Sequence, residues 1–187
     1  MLIELPYNRE NAVEYARKWA LSRNPLFYDF TGTGGNCTNF VSQCIFAGCG
    51  IMNYTPTFGW YYISSEERAP AWTGVDELYD FLTGSPFFTE ANGTVGPYGV
   101  NAAEVGEMSL GDIIQLSNSE GEYYHSLIIS GATDNDILVC AQSNDALDRP
   151  LSTYNFTSLR IIHILGARLL FDYDTVYNNL LTGESLS

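Results

Sequence analysis

Apolar positions recur at offsets of three and four along residues 9–23, with Ala12, Val13, Ala16, Trp19 and Ala20 on one stripe, which predicts an amphipathic helix. Asn8 stands at its capping position, and Asn24-Pro25 predicts its end, because proline clashes with a continuing helix. The glycine-rich run Thr31-Gly-Thr-Gly-Gly-Asn36 follows. Helical spacing then returns, with Cys37, Phe40, Val41, Cys44 and Ile45 at i, i+3, i+4, i+7 and i+8. A second helix is thus expected to open at Cys37 and to close at Gly48. Val75, Leu78, Tyr79 and Leu82 mark a third over residues 73–82.

The second half reads as strands. Apolar and β-branched runs over residues 112–116, 123–130, 137–141 and 159–165 are separated by turn-rich pieces such as Ser117-Asn-Ser-Glu-Gly121 and Thr133-Asp-Asn-Asp136. Their short connections favour antiparallel pairing. Residues 84–106, rich in glycine, read as a long loop, and the stretch from Asp172 as a short helix or a tail. Helices first and strands afterwards predict one α+β domain over residues 1–187, the second helix packed on an antiparallel sheet.

Composition narrows the partners. The 187 residues carry 8 Lys and Arg against 22 Asp and Glu, a net charge of −14, so the surface repels phosphate backbones and no nucleic-acid partner is expected. No apolar run approaches the roughly 18 residues of a spanning helix. Residues 1–8 lack the basic head and apolar centre of a secretory signal, so the chain as it stands reads as cytoplasmic, with an extracellular or cell-envelope place if a signal was removed. Cys37, Cys44, Cys49 and Cys140 have neither disulfide density nor Cys-x-x-Cys metal spacing and read as thiols. The carboxylates form no loop of alternating ligands, and neither metal nor cofactor is expected.

Cys37 is the sharpest chemical feature. A helix N-terminus favours thiolate over thiol, and the N–H of its first residue is free to meet an oxyanion. Gly34 and Gly35 leave room for a substrate, and Asn36 adjoins the sulfur. A packed core thiol is the alternative reading. Of the two histidines, His163 lies in an almost wholly apolar strand and reads as structural, whereas His125 shares strand parity with Leu127 and Ile129, on the face expected to meet the Cys37 helix. His125 is therefore the candidate base. Gln142, Ser143, Asn144 and Asp145 are candidates to orient its ring, or are ordinary turn residues. Trp60 and Trp72 either wall a substrate groove or fill the core.

Gly34-Gly-Asn-Cys-Thr-Asn-Phe-Val-Ser-Gln-Cys44, with Tyr7-Asn-Arg-Glu-Asn-Ala-Val-Glu-Tyr-Ala16 before it and Gly59-Trp-Tyr-Tyr62, Ala71-Trp-Thr73, Gly111-Asp-Ile-Ile-Gln115, His125-Ser126 and Ser143-Asn-Asp-Ala-Leu-Asp-Arg-Pro-Leu151 after it, resembles the amidase domain family of bacteria. The resemblance spans residues 7–151. It implies a papain-like fold, similar to the cysteine- and histidine-dependent amidohydrolase/peptidase modules that cut bacterial cell-wall peptides, with Cys37 as nucleophile and His125 as general base. Two positions depart from the family pattern. Gln142 stands where many relatives have His, and Asn36 where the usual residue is Asp. The third catalytic position thus falls to Gln142, Asn144 or Asp145.

The expected activity is cysteine-dependent hydrolysis of an amide or peptide bond through a thioester, with a peptidoglycan stem peptide as one candidate substrate. The alternatives are an inactive amidase-like module that binds a peptide or glycan, and an acyltransferase that passes the thioester to an amine. The sequence leaves the oligomeric state open.

Overall fold

The computed structural model describes residues 2–84, 95–171 and 173–183. Strand β1 (Leu2–Pro6) and helices α1 (Arg9–Trp19), α2 (Cys37–Cys49), α3 (Pro70–Thr73) and α4 (Val75–Thr83) come first. Strand β2 (Gly96–Asn101), the short α5 (Ala102–Val105), strands β3 (Ile113–Ser117), β4 (Tyr123–Ala132), β5 (Ile137–Ala141), β6 (Ala146–Pro150) and β7 (Ser158–Leu170), and helix α6 (Tyr173–Thr182) follow. The fold is α+β, with a seven-stranded antiparallel sheet in the order β1-β7-β3-β4-β5-β6 and β2 also paired to β7. At Ile162, β7 meets β2 and β3 at once, so those two strands lie on its opposite edges.

Helix α1 is capped by Asn8, whose side chain accepts from the Asn11 N–H at 3.0 Å. It ends at Trp19, a turn before the expected stop. The Trp19 carbonyl is taken by Ser22 N–H and by the side-chain amide of Gln142. Helix α2 opens at Cys37 as its spacing predicts, but it is buried almost all round instead of along one stripe. Its polar residues are satisfied inside the protein: Ser42 Oγ donates to the Trp72 carbonyl and accepts from Trp60 Nε1, and Asn39 Oδ1 accepts from Trp72 Nε1 at 2.8 Å.

The sheet carries a cluster on each face. Phe40, Val41, Cys44 and Ile45 of α2 pack with Ile113, Ile128, Cys140 and Ile162, while Leu116, Leu127, Ile129 and Val139 form a second cluster with Leu151. Strand alternation produces this division. Residues 84–106 are not loop throughout, because β2 and α5 occupy 96–105; that expectation otherwise falls on 85–94, outside the described residues. β2 escapes sequence reading because Gly-Pro-Tyr-Gly imitates a turn, and pairing with β7 overrides that signal. β1, β6 and α3 carry no clear period and were not expected. The stretch after Asp172 forms α6.

Asp112 ties the sheet to α1. Its carboxylate is fully buried and accepts from Arg9 Nη1 at 2.7 Å, from the N–H groups of Ser109 and Ile164, and pairs with His163 Nδ1 at 2.7 Å. His163 is thus a satisfied structural histidine.

Candidate active site

The run Gly32 to Gly35 carries the chain to α2 with left-handed backbone at Gly32, Gly34 and Gly35 (φ 84°, 123° and 98°), a conformation that side-chain-bearing residues rarely adopt. Nothing lies within 4 Å of the position a Cβ would take at Gly32 or Gly34, so this approach to the helix is open. Cys37 begins α2 with 7% of its surface exposed. Its N–H and that of Thr38 lie in the first turn, where no acceptor within the helix can reach them. Its sulfur sits 3.8 Å from Thr38 Oγ1, which in turn is 3.0 Å from Ser126 Oγ on β4. Burial raises the thiols of Cys44 and Cys140, and pushes that of half-buried Cys49 up to about 11.

The structure does not bring the His125 ring into hydrogen bond with Cys37. His125 does share the face of Leu127 and Ile129, as strand parity requires, but α2 packs on the other face, where Ser126 and Ile128 point. The expectation that the His125 face meets the Cys37 helix is therefore corrected. The ring lies beside Tyr154 and Tyr124, at centroid distances of 6.1 Å and 6.2 Å. Its Nε2 is buried with no hydrogen-bond partner, and Tyr154 Oη is buried and unpartnered as well. Desolvation, helped by the Arg149 guanidinium, lowers the His125 pKa to about 4, so the ring is neutral at pH 7 and its lone pair is free.

The four polar residues after β5 form the β5–β6 turn. Ser143 and Asn144 occupy its two central positions with φ 63° and 90°, the left-handed pair that a two-residue hairpin requires. Asn144 is exposed and makes no side-chain hydrogen bond to His125, and Asp145 is held by Arg23 at 2.9 and 3.0 Å. Gln142 is buried and turned away from His125: its Nε2 donates to the carbonyls of Trp19 and Ser22, and its Oε1 accepts from Asn36 Nδ2. No side chain of this turn orients the His125 ring.

Asn36 is buried and fully bonded, and does not present its amide to a substrate; its Oδ1 accepts from Phe30 N–H and Asn39 Nδ2. The two positions at which the sequence departs from the family pattern thus touch each other. Gly35 flanks the turn, 3.5 Å separating its Cβ position from Ser143 Oγ. Trp60 and Trp72 have no exposed surface, with ring centroids 4.8 Å apart and both indole N–H groups bonded to α2. They fill the core and do not wall a groove. Sequence reasoning assigned no role to Thr38, Ser126, Tyr154 and Arg149, and it offered Ser143 for the His125 ring, whereas Ser143 Oγ accepts from the Asn36 N–H. Only the pairing of β4 with its neighbours and the hairpin geometry bring these to the site, although the left-handed Ser-Asn pair carried a turn signal.

Among the described residues no cluster of His, Cys, Asp and Glu could hold a metal ion, and no helix is long and apolar enough to cross a membrane. No solved structure matches the chain. A curated relative, the "Uncharacterized protein YhbB" of Bacillus subtilis (strain 168), is 29% identical over 143 residues, or 75% of this chain; the match spans 42% of that protein's length. A family model described as "Putative amidase domain" matches residues 6–165. With that match across most of its length, including the glycine loop, the start of α2 and the β5–β6 turn, the chain belongs to this amidase domain family.

Proposed function

We propose that the protein is a cysteine-dependent amide hydrolase of the papain-like branch, with Cys37 as nucleophile and His125 as the group that carries its proton. The supporting observation is the thiol at the first residue of α2, at the end of an open glycine run, where first-turn N–H groups without an acceptor in the helix are available to an oxyanion. Sγ attacks the amide carbon, the proton passes through His125 to the departing amine, and water then hydrolyses the thioester. The neutral imidazole is able to accept that proton. Substrate binding must bring ring and sulfur together, as catalytic hydrogen bonds tighten in the occupied site. The substrate class proposed is peptide amides, stem peptides of the cell wall among them; the family match supports amide hydrolysis.

One observation favours a second reading, a peptide-binding or glycan-binding module without turnover: Cys37 and His125 share no hydrogen bond. Turnover of peptide amides by the wild type, Cys37→Ala and His125→Gln separates the two. The hydrolase reading expects turnover in the wild type and its loss in both variants with folding retained. Full activity in Cys37→Ala would overturn it, and peptide binding without turnover in the wild type would establish the second reading.

A further inference from the structure

The side chains of Gln142 and Asn36 anchor the glycine run, and backbone groups fix which way round each amide stands. Gln142 Nε2 donates at 2.8 Å to the carbonyls of both Trp19 and Ser22, and carbonyls only accept. Gln142 must therefore present its oxygen on the other side. Asn36 Oδ1 accepts from the Phe30 N–H at 3.0 Å, a group that only donates, so Asn36 must present its nitrogen to Gln142. Asn36 and Gln142 are 1% and 2% exposed, so bulk solvent does not absorb a mismatch. The Asn36 N–H also donates to Ser143 Oγ, so the hairpin grips residue 36 at two adjacent points, one residue from the sulfur.

We infer that Asn36 and Gln142 work as one electrically neutral positioning pair for Cys37, in which the identity of each residue dictates the other. This rests on the nucleophile reading only for what the pair positions. A carboxylate at 36 would set oxygen against Gln142 Oε1 and bury a negative charge beside the sulfur, which disfavours the thiolate. An imidazolium at 142 would supply the missing donor and offset that charge while its second N–H keeps one of the two carbonyls. The pair thus holds the start of α2 in place without placing a charge there.

The test compares wild type, Asn36→Asp, Gln142→His and the double variant by thermal unfolding and by the pH dependence of Cys37 alkylation with iodoacetamide. Asn36→Asp is expected to lower Tm and to slow alkylation at pH 7 by about tenfold, one pKa unit, by moving the profile upward. The double variant is expected to unfold at a higher temperature than either single variant, with its profile moved back toward wild type. Additive losses in Tm, or an unmoved profile in Asn36→Asp, would overturn the inference. Should Asn36→Asp fail to fold, recovery of cooperative unfolding in the double variant supports the pair, and an unfolded double variant contradicts it. A wild-type Cys37 no more reactive than the other thiols would sink the nucleophile reading alone, because the coupling in Tm is measured without it.

Discussion

Burial decides the protonation of His125, and it does so against function at low pH. The unfolded imidazole titrates near 6.5 and the folded one at about 4, so between those values the unfolded chain binds more protons and stability falls as pH falls. Urea midpoints across this window should drop less in His125→Gln than in wild type, and equal slopes would contradict the buried neutral ring. As a base, the same ring predicts kcat/KM for peptide amides that holds down to pH 5 and is lost through about pH 4. Asp112 is also buried, but both of its carboxyl oxygens are engaged, by Arg9, His163, Ser109 and Ile164. Asp112→Ala leaves Arg9 only the carbonyls of Leu110 and Ile164 and removes the Nδ1 partner of buried His163, and should cost about 1–3 kcal/mol in urea unfolding, the usual penalty for unpairing buried polar groups.

Local period was enough to identify elements but not to orient them. Helices α1 and α2 were legible because apolar spacing, the Asn8 cap and the glycine run agree, and the strands from β3 to β5 because β-branched runs end in turns. Parity correctly grouped His125 with Leu127 and Ile129, but it does not say which face a helix covers, and with apolar side chains on both faces of this sheet the pattern was symmetric. The aromatic segment around Trp60 had no period, and its burial depends on Ser42 and Asn39, polar residues that helical spacing would have sent to solvent. The β5–β6 turn shows how local chemistry can imitate a catalytic constellation. Its Gln-Ser-Asn-Asp run is polar largely because two of the residues must adopt left-handed backbone. Asn144→Val puts a β-branched side chain at φ 90° and should destabilise the protein by about 1–2 kcal/mol, measured by denaturant midpoint, whereas Asn144→Gly should be close to neutral.

Over the whole molecule, a seven-stranded sheet presents one face to α1, α2 and α4, and the turn after β5 reaches back to fasten the loop from which α2 starts. Membership in the amidase domain family was legible from ordered motifs, while the contact between Asn36 and Gln142, more than a hundred residues apart, existed only in the folded chain. The chain spans about two-fifths of the length of its curated relative, and the fold places the candidate nucleophile where backbone N–H groups, not a bonded histidine, are its nearest electrostatic support. That arrangement makes competitive alkylation the most direct test. Cys49 is the more exposed thiol, yet its pKa is pushed up to about 11, and Cys44 and Cys140 have no exposed surface. Native protein treated with limiting iodoacetamide at pH 7 and mapped by mass spectrometry should carry the label first on Cys37. Labelling of Cys49 at the same rate or faster would mean that exposure alone governs these thiols and that the start of α2 does not activate its cysteine.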